Sequence, residues 1–166
     1  GVQPDGVKAV RIVQWRWELP CSHALYYPVL ATCVELDVPI CLQVGHTGPL
    51  RSSETGRPAH IERIALDFPD LKIVCGHIGY PWHVEMICVA TKFPNVYIDT
   101  SAYKVKRYPA ELVQYMKSNG KQKVMFGTNF PMIMPDTALE GFEQLGLDDE
   151  AAQLFLAGNA ERVFKL

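Results

Sequence analysis

The sequence predicts an α/β protein built on a parallel sheet, and three observations carry that expectation. Short apolar runs alternate with segments whose apolar residues recur every three or four positions, the pattern of βαβ units. Several of the runs are almost continuously apolar, as strands covered on both faces are. Two of them also end alike: Pro39-Ile40-Cys41-Leu42-Gln43-Val44-Gly45-His46 and Leu71-Lys72-Ile73-Val74-Cys75-Gly76-His77 each deliver a histidine where a strand gives way to a Gly-containing loop. In α/β barrels that end of the strand is where active sites are assembled.

The elements follow in order. Residues 7–14 read as the first strand and residues 24–36 as a helix with Leu25, Val29, Leu30, Cys33 and Val34 spaced by three and four. Residues 39–44 are the second strand. Residues 58–68 are a helix with Pro58 near its first turn and Ile61, Ile64, Ala65 and Phe68 on one face. The third strand is 71–75, followed by a helix over 82–93. The fourth strand is 95–100, followed by a helix over 109–118 that stops at Asn119-Gly120. The fifth strand is 123–127. Two short helices, 137–145 and 148–156, finish the chain, with Asp148 as an N-cap and Gly158-Asn159 as the stop. With no internal repeat, low-complexity tract or linker, residues 1–166 are expected to form a single domain.

Five βα units are too few to close an eight-stranded barrel, which takes about 250 residues. An open, doubly wound five-stranded sheet fits the length. However, the first strand runs into Val13-Gln14-Trp15-Arg16-Trp17 rather than a Gly-rich phosphate loop, so nucleotide binding is not expected.

Composition narrows the function classes. The chain has 166 residues, 48% hydrophobic and 20% charged, with a formal net charge of −2, which gives no electrostatic reason for nucleic acid or an anionic membrane as partner. No apolar run approaches the roughly 20 residues that span a bilayer. The first residues, Gly1-Val2-Gln3-Pro4-Asp5, have neither the basic nor the apolar region of a signal peptide, and without an initiator Met this terminus reads as processed or cut. Cys21, Cys33, Cys41, Cys75 and Cys88 are odd in number and none share a CxxC spacing. A reducing, cytoplasmic setting without disulfides is expected.

The residues able to carry chemistry sit at strand ends. His46 and His77 each lie between nearby glycines, which allow sharp turns and close approach of a ligand. Neutral imidazole is the commonest metal ligand and a general base near pH 7. After the fifth strand come Thr128 and Asn129; an Asn oxygen can coordinate but cannot accept a proton as a base. Asp99, Ser101 and Tyr103 follow the fourth strand and either face the same mouth or form local turns. His23, His60 and His83 fall in or beside helices and read as structural or solvated. Trp15 and Trp17 are candidate walls of an apolar pocket. Arg11, Arg16 and Arg51 are candidates for holding a substrate carboxylate, and at least two of the three are expected to be solvated.

Five motifs then occur in order: Gly45-His46-Thr47-Gly48, Gly76-His77-Ile78-Gly79, Asn95-Val96-Tyr97-Ile98-Asp99-Thr100-Ser101, Phe126-Gly127-Thr128-Asn129-Phe130-Pro131 and Gly158-Asn159-Ala160-Glu161-Arg162-Val163-Phe164. Together, over nearly the whole chain, they resemble the C-terminal half of the amidohydrolase-related branch of the amidohydrolase superfamily, which includes metal-dependent hydrolases and the carboxymuconate semialdehyde and resorcylate-type decarboxylases. The resemblance implies a (β/α)8 TIM-type barrel to which this chain supplies about strands four to eight. It implies a divalent metal, zinc or another such as manganese, with His46 as a ligand. His77 is then a second ligand or the proton-transferring group, and Asn129 stands where the family usually has a metal-binding, basic Asp. The family's His-x-His pair on strand one has no counterpart here.

The function expected from the resemblance is metal-dependent hydrolysis of a small amide, lactone or ester, with Trp15, Arg51 and Tyr103 contacting the substrate. The alternative is decarboxylation of a small aromatic or unsaturated acid, toward which Asn129 leans because a hydrolase loses its usual base. A third reading is a non-catalytic half-barrel. A partial barrel exposes two unpaired strand edges, so self-association into a homo-oligomer is expected. The isolated chain is expected to hold metal poorly.

Overall fold

A computed structural model describes residues 6–166; the pentapeptide read for signal features lies outside the described residues. Five parallel strands form one sheet: β1 (Val10–Ile12), β2 (Ile40–Gln43), β3 (Ile73–Gly76), β4 (Val96–Asp99) and β5 (Val124–Met125). Their spatial order is their order in the chain, β1-β2-β3-β4-β5. A doubly wound sheet reverses strand order at a switch point. This sheet never reverses, so its connections all turn the same way, as in a barrel.

The register sorts the strand residues into two faces. Val10, Ile40, Ile73 and Val96 share one row, and Ile12, Leu42, Cys75, Ile98 and Val124 another. This face packs on four helices, α1 (Tyr27–Glu35), α2 (Ala59–Asp67), α3 (His83–Lys92) and α4 (Ala110–Lys117). Each helix contributes residues at three- and four-residue spacing: Leu30 and Cys33; Ile61, Ile64 and Ala65; Met86, Val89 and Ala90; Leu112, Tyr115 and Met116. Burying one such side chain contributes about 1.5–3 kcal/mol, so this seam is the main source of cohesion.

The opposite face carries Arg11, Cys41, Val74 and Tyr97 in one row and Gln43, Gly76, Asp99 and Met125 in the next. Its lower part is closed by the C-terminal segment: Val74, Tyr97, Met125 and Val163 form a small buried cluster, with Cys41 and Phe164 against it. Its upper part leads to the strand ends and stays polar.

Three elements differ from the sequence reading. Pairing in the first strand is confined to Val10–Ile12, because Gln14–Arg16 form a 3-10 turn. Gln14 is buried and its Oε1 accepts from the Gln43 amide at 3.1 Å, which ties the turn to β2. Second, the helix expected over 137–145 splits into α5 (Pro135–Ala138) and a 3-10 turn, Phe142–Leu145, because Gly141 takes φ +82° between them. Third, Gly158-Asn159 does not stop a helix. After α6 (Asp149–Gln153) the chain widens into a π turn, Leu154–Gly158, and continues into α7 (Asn159–Phe164). The π turn frees the Phe155 carbonyl, which accepts from the Phe126 amide at 2.9 Å. Asn159 is fully buried and its Nδ2 donates to the carbonyls of Lys121 (2.8 Å) and Val124 (2.7 Å), holding β5 in place. The five cysteines are free thiols. Among the described residues no helix is long and apolar enough to cross a membrane.

Candidate active site

A cavity of about 340 Å³ opens at the C-terminal ends of the strands. His46, His77 and Asn129 line it together with Arg11, Trp15, Gln43, Tyr103 and Met132. The structure therefore brings together five of the six residues singled out from sequence, and Arg51 is the exception. Its guanidinium forms an exposed ion pair with Glu18 at 3.1 Å, and it is not among the residues lining the cavity. The side chains sequence reasoning passed over are Gln43 and Met132. Gln43 was legible in principle, because period-two alternation puts it on the same face as Arg11 and Cys41 once the register is known.

The loops that carry the histidines are tightly folded. His77, Ile78 and Gly79 take φ of +74°, +64° and +86° in succession. A β-branched residue at positive φ is a genuine outlier, and such positions cost of order 1–3 kcal/mol each. Burial of Ile78 and the bond from its amide to the Asp99 carbonyl at 3.3 Å offset that cost. The turn swings the His77 ring over the cavity.

Gly45, at φ +90°, makes the other loop possible: a Cβ there would lie 2.5 Å from the Tyr80 carbonyl oxygen. Asn129 also has positive φ, +62°, a conformation that Asn tolerates well. Its Nδ2 points to the Met132 sulfur at 3.8 Å, and its Oδ1 accepts no hydrogen bond among the described residues.

The electrostatics favour neutral imidazole at His77. The side chain is 8% exposed and its Nε2 is buried without a hydrogen-bond partner. Burial, assisted by the nearby Arg11 charge, lowers its pKa to about 4. A neutral ring with an unclaimed lone pair is the state a metal ligand or proton acceptor requires. His46 is exposed and lines the same cavity. Deeper in, Asp99 is held by Ser101, whose amide and hydroxyl donate to its two oxygens at 2.8 and 3.0 Å. Burial raises its pKa, while the Ser101 bonds and the Arg11 charge act the other way. Gly127 leaves it room, since a Cβ at that position would lie 2.2 Å from Asp99 Oδ1.

The potential metal donors lining the cavity are two imidazoles, His46 and His77, and one neutral amide oxygen, that of Asn129. Among the described residues no cluster of three or more His, Cys, Asp or Glu side chains is poised to hold an ion. A catalytic zinc takes three protein ligands and a water; toward that count the cavity offers two imidazoles and a neutral amide oxygen as candidate donors.

The amidohydrolase family model matches residues 2–166. The chain belongs to the amidohydrolase family. Its solved amidohydrolase-like neighbours include an uncharacterized TIM-barrel protein from Bordetella bronchiseptica, 29% identical with a TM-score of 0.86, which covers 96% of this chain and 57% of that one. The 5-carboxyvanillate decarboxylase from Sphingomonas paucimobilis is 19% identical with a TM-score of 0.69, over 96% and 59%. A dihydroxybenzoic acid decarboxylase from Polaromonas sp., solved with manganese and the inhibitor 2-nitroresorcinol, is 22% identical with a TM-score of 0.64, over 89% and 57%. The chain thus spans less than two thirds of the length of each of these three. No curated protein matches it. For this amidohydrolase-family chain the likeness to the two decarboxylases concerns the fold: five consecutive βα units of a TIM barrel.

Proposed function

We propose that these residues form one side of a divalent-metal site in an amidohydrolase-type enzyme that hydrolyses a small amide, lactone or ester. The observation that carries this reading is the buried, unpartnered Nε2 of His77 at a strand end, in a cavity that the exposed His46 also lines. His46 and His77 would hold the ion, with the Asn129 oxygen as a weak third donor. When bound, the ion supplies a Lewis acid that polarises an oxygen and lowers the pKa of bound water. His77, neutral and desolvated, serves through Nε2 either as the second ligand or as the proton-transferring group, since one lone pair cannot do both. Tyr103, whose hydroxyl pKa is raised by burial and by Tyr80, and Trp15 wall the substrate.

A second reading, decarboxylation of a small aromatic or unsaturated acid, is favoured by Asn129. An amide cannot serve as the general base that water activation uses, whereas decarboxylation needs a clamp on the carboxylate and a proton donor. Support also comes from the neighbours that are decarboxylases, one of them manganese-bound. The edge strands β1 and β5 each have one sheet neighbour, which favours self-association into a homo-oligomer, measurable by light scattering.

The test is turnover by the full-length protein with Zn²⁺ or Mn²⁺ on lactones, amides and hydroxybenzoates, with H77N alongside. Activity on one class, lost in H77N, is the expected result. No turnover under any metal, with metal binding unaffected by H46N and H77N together, would sink both enzymatic readings.

A further inference from the structure

We propose that Gln43 reads the functional group of the substrate: its side-chain amide pairs with the N–H and C=O of a primary carboxamide or lactam, so the cavity takes these ahead of esters and lactones. This deepens the reading of the cavity as a hydrolytic substrate site and rests on it. Gln43 ends β2, three residues before His46, on the sheet face that carries Arg11 and Cys41, and its side chain lines the cavity. The side-chain amide makes no hydrogen bond among the described residues, yet neither of its polar atoms is sealed from solvent. Its partner in the β2–β3 register is Gly76, so no side chain at that position covers it. Crowding does not impose that glycine, because an added Cβ would meet nothing nearer than 3.5 Å. The main-chain amide of Gln43 is held at 3.1 Å by Oε1 of the buried Gln14. A fixed backbone thus presents a free amide head to the cavity.

A carboxamide side chain carries a donor and an acceptor on separate atoms. Of the two carboxamides that line the cavity, Gln43 has both free, whereas Asn129 directs its Nδ2 at the Met132 sulfur. Such a head matches a partner whose N–H and C=O lie side by side, through two parallel hydrogen bonds, as Gln does with the donor–acceptor edge of adenine. Primary amides and lactams present that edge. A trans secondary amide has its N–H and C=O on opposite sides, and an ester or lactone has no N–H. Each of these satisfies one end of Gln43 and leaves the other unpaired. A site group left unpaired is what makes selectivity by hydrogen bonding large. His46 and His77 line the same cavity, so recognition and reaction use different side chains within one space.

Benzamide, N-methylbenzamide and methyl benzoate, titrated without metal into the full chain, read this out independently of turnover. The two methylated probes are the more apolar, so burial alone would favour them. The expected Kd for benzamide is at least tenfold below that of either. The preference should vanish in Q43M, which keeps the length of the side chain and removes its amide. The side-chain NH2 cross-peaks of Gln43, identified by their absence in Q43M, should shift when benzamide is added. R63Q, a surface control whose guanidinium pairs with Asp67 at 2.8 Å, should bind as the parent does. The remaining cross-peaks of Q43M establish that it is folded, and Q43L takes its place if it is not. Equal affinities for the three probes, binding of none of them, or a benzamide preference that survives in the folded variant overturns the proposal. A benzamide preference that depends on Gln43, in a protein that turns over nothing, supports it and overturns the enzymatic reading. Turnover of lactones with no preference for benzamide does the reverse.

Discussion

The His46 amide donates to the Tyr80 carbonyl at 2.5 Å. This single bond ties the loop after β2 to the loop after β3, and so sets one site histidine relative to the other. It exists because Gly45 lets the two backbones touch.

G45A tests that dependence. Alanine at φ +90° is strained, and its Cβ would meet the Tyr80 oxygen at 2.5 Å. Strain and overpacking of this kind cost about 1–3 kcal/mol, which corresponds to a fall in melting temperature of roughly 2–12 °C for a chain of this size. Thermal unfolding checks the stability, and a rise in the Kd for Mn²⁺ checks the histidine spacing.

N129D addresses the missing carboxylate. Aspartate tolerates positive φ nearly as well as asparagine, and it exchanges a weak neutral oxygen for a charged one. Affinity of the full-length protein for Zn²⁺ or Mn²⁺ is expected to rise at least tenfold, by about 1.4 kcal/mol or more, in calorimetric titration. Equal affinities would remove Asn129 from the ligand set.

N159L probes the C-terminal clamp. The substitution deletes two donors, at 2.8 and 2.7 Å, from the carbonyls of Lys121 and Val124 inside the core. Leaving buried acceptors unmet costs about 1–3 kcal/mol each, so a loss of about 2–5 kcal/mol in urea unfolding is expected. A loss under 1 kcal/mol would show that water replaces the side chain.

The pH dependence of stability has a readable contributor at α6. The Lys121 ammonium, at 2.7 Å, and the Ala151 amide, at 2.8 Å, hold the Asp148 carboxyl below its usual pKa. A lowered folded-state pKa contributes stability that is present above the unfolded value and is lost as pH falls through the folded one. The urea midpoint of D148N should therefore lie below that of the parent at pH 6, with the gap closing below about pH 4. A gap of constant size down to pH 2 would assign the effect to the cap hydrogen bond alone.

Much of the candidate site was legible because its signals are local. Gly45-His46 and Gly76-His77 announce themselves as strand ends within eight residues of sequence, and both histidines line the cavity. Asn129 was found through its motif. The arginines were not separable in the same way. Arg11 and Arg51 are both basic residues near strand ends or loops, and only the fold puts Glu18 beside one and the cavity beside the other. Gly158-Asn159 misled for a related reason. Gly-Asn is a common helix terminator, but here a bond from Phe126, about thirty residues earlier, stabilises the widened turn that lets the helix continue.

By itself, the sequence determined the alternation of strands and helices, the buried faces of the helices and the presence of two histidines at strand ends. Those follow from periodicities of two and 3.6 residues and from turn chemistry that acts over a few positions. Only the tertiary structure decided that the strands lie in sequential order, that Gln43, Gly76 and Asp99 share one row, and which arginine reaches the cavity. These depend on hydrogen bonds and packing between residues some thirty positions apart, where a local pattern is compatible with several pairings and the closure of the whole sheet selects one.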